Sequence, residues 1–212
     1  MRMRRKKHRD ERFENCSELF IDDILQYKND LRAVFEDDKP LHLEIGCGKG
    51  KFVCEMAQLH PDVNFLAFEK NLDVAILAGE KVLNAGLKNV KFYCGDANVL
   101  NEFETESRAD IIYLNFSDPW KKSKQKKRRL THENFLSMYG KLLKKGGAVY
   151  FKTDNQKLFE FSLNSFADFG LRLHNITLDL HNSGFEGNVM TEYETRFSEM
   201  GQPIYRCEVY FD

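Results

Sequence analysis

Residues 41–60 read LHLEIGCGKGKFVCEMAQLH. The first six read as a short strand. Glycines at 46, 48 and 50 predict a tight turn whose backbone a ligand can approach closely. Phe52, Val53, Met56, Ala57 and Leu59 then recur with helical spacing over 49–60. Strand, glycine turn and helix together open a crossover unit, and the same alternation continues downstream. NFLAFE (64–69), VKFYCG (90–95), DIIYLNF (110–116) and AVYFKT (148–153) predict further strands. Residues 71–86, 132–147 and 155–170 predict helices, and two last strands are expected near 171–180 and in 204–211. Ser17–Phe35 predicts one more helix packed on the body. Helices of this length between strands imply crossovers. The expectation is therefore an α/β, doubly wound, mostly parallel seven-stranded sheet with helices on both faces. The direction of the last strand is left open.

The chain has 212 residues, 42% of them apolar, and 18 are Phe. That content supplies a core for one domain of ordinary size and excludes wholesale disorder. No apolar run approaches the ~18 residues of a membrane span. The basic start, MRMRRKKHRDERF, has no apolar segment behind it and is not a secretory signal. Cys16, Cys47, Cys54, Cys94 and Cys207 are odd in number and contain no CxxC pair, which predicts reduced thiols and a cytoplasmic location. His42, His60, His132, His174 and His181 lack metal-ligand spacing, so no metal is expected.

The net charge of −1 hides an asymmetry. Residues 1–12 carry seven Lys/Arg and two acids, and residues 121–129 (KKSKQKKRR) carry seven basic residues and no acid. The remainder holds 18 basic and 31 acidic residues. Two basic runs on an acidic body favour a polyanionic partner, because each phosphate neutralised releases counterions. Residues 1–16 are expected to be a basic mobile arm, with 17–212 as the single domain.

Ligands of a doubly wound sheet sit beyond the carboxyl ends of the strands. The turn here is G-x-G-x-G. It is neither the dinucleotide G-x-G-x-x-G nor the phosphate-loop G-x-x-x-x-G-K-[ST]. Acids stand at the strand ends instead: Glu44 inside the end of the first strand, Glu69 closing the second, Asp96 after the third and Asp118 after the fourth. Glu69 ends the second strand, where a carboxylate can accept from both hydroxyls of a ribose. Such a rim repels phosphates and suits a ribonucleoside with a cationic centre, and S-adenosylmethionine has that chemistry. At the fourth strand's end, Pro119 disfavours helix for Asp118 and holds it extended. Trp120, the only tryptophan, and the basic run follow directly. Trp120 could stack on a base or wedge the loop, and an acid and an aromatic beside seven cations suit a base on a phosphate chain.

EIGCGKG, the acid in AFEK, CGDAN, FSDPWKKSKQKKRR, FKTDN and TEYETRF together resemble bacterial tRNA (guanine-N7-)-methyltransferases, from about residue 41 to the end. The glycine turn is widespread among S-adenosylmethionine-dependent enzymes, whereas the SDPW-basic block with TEYE is specific. The resemblance implies a Rossmann-like methyltransferase fold. It also implies methyl transfer from S-adenosylmethionine to N7 of a guanine in the tRNA variable loop, leaving S-adenosylhomocysteine. It implies cofactor contacts by Glu44, Gly46, Glu69, Asp96, Asn98 and Asp118, with Asp118 also catalytic. It places the substrate against Lys122, Asp154, Thr191, Glu192, Tyr193 and Glu194. Lys124, Gln125, Lys126, Lys127, Arg128 and Arg129 would be an RNA-interaction segment.

Guanine N7 carries an in-plane lone pair, so no proton need leave before attack. Asp118 is accordingly expected to position the base and stabilise developing charge, not to act as an obligatory base. Asp154 equally suits a helix N-cap, and TEYETRF a solvated turn. Methylation of another RNA and a non-catalytic RNA-binding protein stay open. A nicotinamide oxidoreductase does not fit the glycine spacing. No obligate protein partner is implied, and a homodimer is left open.

Overall fold

The computed structural model describes residues 8–103 and 109–211. The first seven residues of the expected arm lie outside them. Its described part is a helix, α1 (Arg9–Glu14), whose Arg12 pairs through two nitrogens with Glu80, 2.6 Å from Nε to Oε1. Phe13 and Phe20 stack toward Phe92 on the sheet. Gly79 makes room for this, since a Cβ there would meet the Phe20 ring at 2.8 Å.

Residues 17–35 differ from the expected helix. They fold as three separate 3-10 turns, Ser17–Leu19, Ile24–Tyr27 and Leu31–Val34. The cause is local: the Asp23 and Asp30 carboxylates accept from the backbone N–H of Leu25 and Arg32, and such side chains compete with helix hydrogen bonds. Leu19, Ile24 and Leu31 are buried, so the segment still caps the core.

The sheet contains β1 (Leu41–Ile45), β2 (Asn64–Glu69), β3 (Val90–Cys94), β4 (Ala109–Asn115), β5 (Leu143–Thr153), β6 (Arg172–Thr177) and β7 (Tyr205–Tyr210). Their order is β3-β2-β1-β4-β5-β7-β6. Pairing is parallel from β3 through β5, and β7 runs antiparallel to both β5 and β6. Side chains alternate between the faces, as strand geometry requires. Phe65, Ala67 and Phe92 meet α2 (Lys51–Leu59) and α3 (Leu72–Asn84). Leu66, Phe68, Ile112 and Leu114 meet α4 (Glu133–Leu142) and α5 (Gln156–Asp168). The last helix is α6 (Glu192–Ser198). Among the described residues no helix is long and apolar enough to cross a membrane.

The helix expected over 132–147 stops at Leu142. Leu143 is already extended and pairs with Ala109, and the register then slips before Ile111 resumes with Ala148. Gly146, with φ +75°, turns this bulge, and Lys144 pairs with Asp110. Strand pairing here overrides a helical pattern. The order reverses between β1 and β4, so their carboxyl ends leave an open crevice for a ligand. The turn after β1 forms one side of it. Its Gly50 has φ +75°, and a Cβ there would lie 2.5 Å from that of Ala78 on α3. Glycine at 50 thus locks the turn to α3.

Candidate active site

A cleft of about 450 Å³ opens at this switch point, lined among others by Gly46, Glu69, Asp96, Asn98, Asp118 and Trp120. Its first wall is acidic. Glu69 accepts from Gly48 N–H (3.0 Å) and Asn71 N–H (2.8 Å), which aims a carboxylate across the glycine turn. Asp96 accepts from Lys70 (2.6 Å) and from the backbone and side chain of Asn98, and the Lys70 ammonium heads the causes that hold its carboxyl below the usual range. Gly46 has φ +85°, and a Cβ there would meet nothing within 4 Å, so open space lies against the turn.

Glu44 lies beneath that wall, 2% exposed. Its Oε1 accepts from Asn115 Nδ2 at 3.0 Å, and its Oε2 has no partner. Burial pushes this carboxyl up to about 7, against the opposing pull of Asn115 and Lys152. Asn115, which holds this carboxylate, lines the cleft, and an unpartnered buried acceptor one hydrogen bond behind the lining suits a ligand ammonium.

The second wall is the loop after β4 with the basic run. Phe116 (φ +54°) and Trp120 (φ +40°) both take the left-handed conformation, which is uncommon for non-glycine residues and gathers at functional sites. They bracket Ser117, Asp118 and Pro119. Asp118 is exposed at the cleft, and Ser117 Oγ is buried without a partner. Lys122 begins a 3-10 turn over Ser123–Arg128. The Arg128 guanidinium lies 3.8 Å from the centre of the Trp120 ring, and Lys127 and Arg128 line the cleft itself. Lys122, Lys124, Lys126 and Lys127 are exposed and Gln125 is half-buried, whereas Arg129 is buried.

The late residues divide. Tyr193 donates its hydroxyl to Asp154 (3.3 Å) and packs against Phe116, 5.1 Å between ring centres. Both therefore stand beside the cleft. The N-cap of α5 is Asn155 and not Asp154. Thr191 caps α6 by accepting from Glu194 N–H. Glu192 pairs with Lys81 on α3. Glu194 is fully buried against Lys152 and faces away from solvent. Asn115, Lys70, Ser117 and Lys152 were given no role from the sequence, although the last three lie within AFEK, FSDPW and FKTDN. The detectable sign for Asn115 and Lys152 was a polar residue closing an apolar strand.

Fold and cleft together define a class, a Rossmann-like α/β sheet with a ligand cleft at its switch point. Solved structures agree on the fold. An antibiotic-related methyltransferase superposes with a TM-score of 0.61 at 18% identity, over 85% of this chain and 91% of its own. A 30S ribosomal A1408 methyltransferase from an uncultured bacterium gives 0.57 at 16%, over 86% and 92%. The family model described as "Putative methyltransferase" matches residues 38–207. The tRNA (guanine-N(7)-)-methyltransferase of Bacillus subtilis (strain 168) is 46% identical over 209 residues, 99% of this chain and 98% of that protein. That of Bacillus licheniformis is 47% identical over 208 residues, 98% of each. The chain belongs to the tRNA (guanine-N(7)-)-methyltransferase family.

Proposed function

We propose that the protein transfers a methyl group from S-adenosylmethionine to N7 of a guanine in the variable loop of tRNA, in the cytoplasm. The observation that carries this reading is one cleft with two unlike walls, an acidic wall holding Glu69 and Asp96 and a second holding Asp118 and Trp120 with the basic Lys127 and Arg128. When bound, S-adenosylmethionine supplies an electrophilic methyl on a sulfonium. Glu69 would take the ribose hydroxyls, Asp96 and Asn98 the adenosine end, and Glu44 the ammonium, with Gly46 leaving the backbone clear. Arg128 and the exposed lysines would hold the RNA phosphates, and Lys122, Asp154, Thr191 and Tyr193 would settle the target nucleoside. Glu192 and Glu194 would support that settlement through α6.

N7 attacks with a lone pair it already has. The residues must therefore supply alignment, with reacting atoms ~3–3.5 Å apart, and a negative charge near the ring as it becomes cationic. Asp118 would serve both, and the left-handed Phe116 and Trp120 on either side of its segment support that role. Incubation of the full chain with methyl-labelled S-adenosylmethionine and unmodified tRNA transcripts, followed by nucleoside analysis, tests the reading. Label in 7-methylguanosine is the expected result, and label in another nucleoside rejects the assignment.

The Glu44 role has its own test. The ammonium needs an ionised partner, and burial raises the Glu44 carboxyl to about 7 despite Asn115 and Lys152. Affinity for S-adenosylmethionine is therefore expected to be full above pH 7 and to fall by up to ~10-fold per pH unit below it. Calorimetric titration between pH 6 and 8.5 should also register release of about one proton per binding event at the acid end only. A Glu44→Gln variant should bind more weakly with a flat profile. An equal affinity at both ends in the parent protein would reject the role.

A further inference from the structure

One of the seven basic residues in 121–129 faces the protein and not the solvent. Arg129 is 8% exposed, in contrast to the lysines before it. Its guanidinium lies over the Phe161 ring of α5, 4.3 Å from the centre. Its Nε–H donates to the carbonyl of Pro119 at 3.0 Å, and Nη2 donates to that of Trp120 at 3.3 Å. These are the two carbonyls immediately after Asp118. The Trp120 backbone is left-handed and contributes to no strand or helix ladder, so the fork supplies partners its carbonyl otherwise lacks. A planar guanidinium offers donors at fixed spacing, and a lysine ammonium on a flexible stem does not reproduce this. The Arg129 backbone is also a junction. Its N–H bonds Lys126 C=O and its C=O accepts from His132 N–H, joining the basic turn to the start of α4.

We infer that Arg129 is a positioning residue which fixes the Pro119–Trp120 backbone, and through it the Asp118 carboxylate, and is not a phosphate contact. Position 129 thus leaves the RNA-facing set expected from the sequence and becomes the tie between the Asp118 loop and the core. The inference deepens the proposed function and rests on it for its kinetic arm alone.

Three readouts separate a clamp from a phosphate ligand: turnover, the salt slope of tRNA binding, and acrylamide quenching of Trp120 fluorescence, which reports this loop because the chain has a single tryptophan. Arg129→Lys keeps the charge and loses the fork. It is expected to lower kcat about 100-fold through misplacement of the reacting groups, with S-adenosylmethionine affinity within about two-fold. Quenching of Trp120 should rise and the salt slope should stay as in the parent. Lys126→Ala should do the reverse, reducing the slope by about 1 with quenching unchanged. Parent-like kcat and quenching in Arg129→Lys, with a reduced slope in Arg129→Gln, would overturn the inference. If Arg129→Lys gives no cooperative melt, Phe161→Leu removes the ring under the guanidinium and keeps an apolar core. Raised quenching with lower kcat supports the clamp in that variant, and parent-like values in both overturn it. Should the parent form no 7-methylguanosine, the quenching arm still decides the role of Arg129.

Discussion

Asp118→Asn is expected to lower kcat about 10²–10³-fold, the usual cost of losing one preorganised electrostatic contact in an active site. The substitution keeps side-chain size and removes the charge. The neighbouring backbone should hold, because Phe116 N–H bonds the carbonyl of Lys152 and Arg129 holds Pro119 and Trp120. The loss then reports charge near the methylated ring and little else. Affinity for S-adenosylmethionine should weaken by less than ~10-fold, since Glu44 and Glu69 remain to hold it. Single-turnover formation of 7-methylguanosine at saturating tRNA is the measurement. A rate within three-fold of the parent, on the scale set by ~1.4 kcal/mol per decade, would remove Asp118 from the chemistry.

The second large effect is on stability. Lys152 and Glu194 are 5% and 0% exposed and 2.7 Å apart. Lys152 Nζ also donates to Asn188 Oδ1 and to the carbonyl of Val189, both at 2.9 Å. Glu194 accepts in addition from Asn188 Nδ2 and stands 3.3 Å from His181. Replacing Lys152 by Met strands a buried carboxylate, so a loss of about 3–5 kcal/mol is expected. For a chain of this size that corresponds to roughly 10 °C in Tm. The double variant Lys152→Met/Glu194→Leu should recover much of the loss, because an apolar pair of similar volume tolerates burial where a single charge does not. Thermal melts of the parent, the two single variants and the double variant decide this. A single variant that melts with the parent would show that water reaches the pair. The pair also anchors α6, which carries Tyr193 to Asp154 beside the cleft, so Lys152→Met should weaken tRNA turnover even where the protein remains folded.

Much of the site could be read along the chain because its chemistry is arranged locally. Glu44, Glu69, Asp96 and Asp118 each stand within or just beyond the end of a strand, and the turn at Gly46, Gly48 and Gly50 announces itself by spacing. In the structure Glu69, Asp96, Asn98 and Asp118 line one cleft, with Glu44 below it. Other elements were misjudged for equally physical reasons. Ser17–Phe35 has helical apolar spacing, yet Asp23 and Asp30 capture backbone N–H groups and break it into turns. The pattern over 132–147 reads as one helix, yet pairing of Leu143 with Ala109 claims its last residues for β5.

The sequence by itself determined the alternation of strands and helices, the glycine turn, the strand-end acids and the concentration of positive charge. All of these are expressed within a few residues of the chain, through backbone conformational preference and the periodicity of side chains. Only the tertiary structure decided which members of a motif face solvent. Arg129 and Lys127 are two residues apart in the same basic run, but packing against Phe161 turns one inward and leaves the other on the cleft wall. Glu194 belongs to the same TEYE motif as Tyr193, yet its partner Lys152 lies 42 residues away on β5. Burial of a charge depends on whether a distant segment brings it a partner, and spacing along the chain carries no information about that.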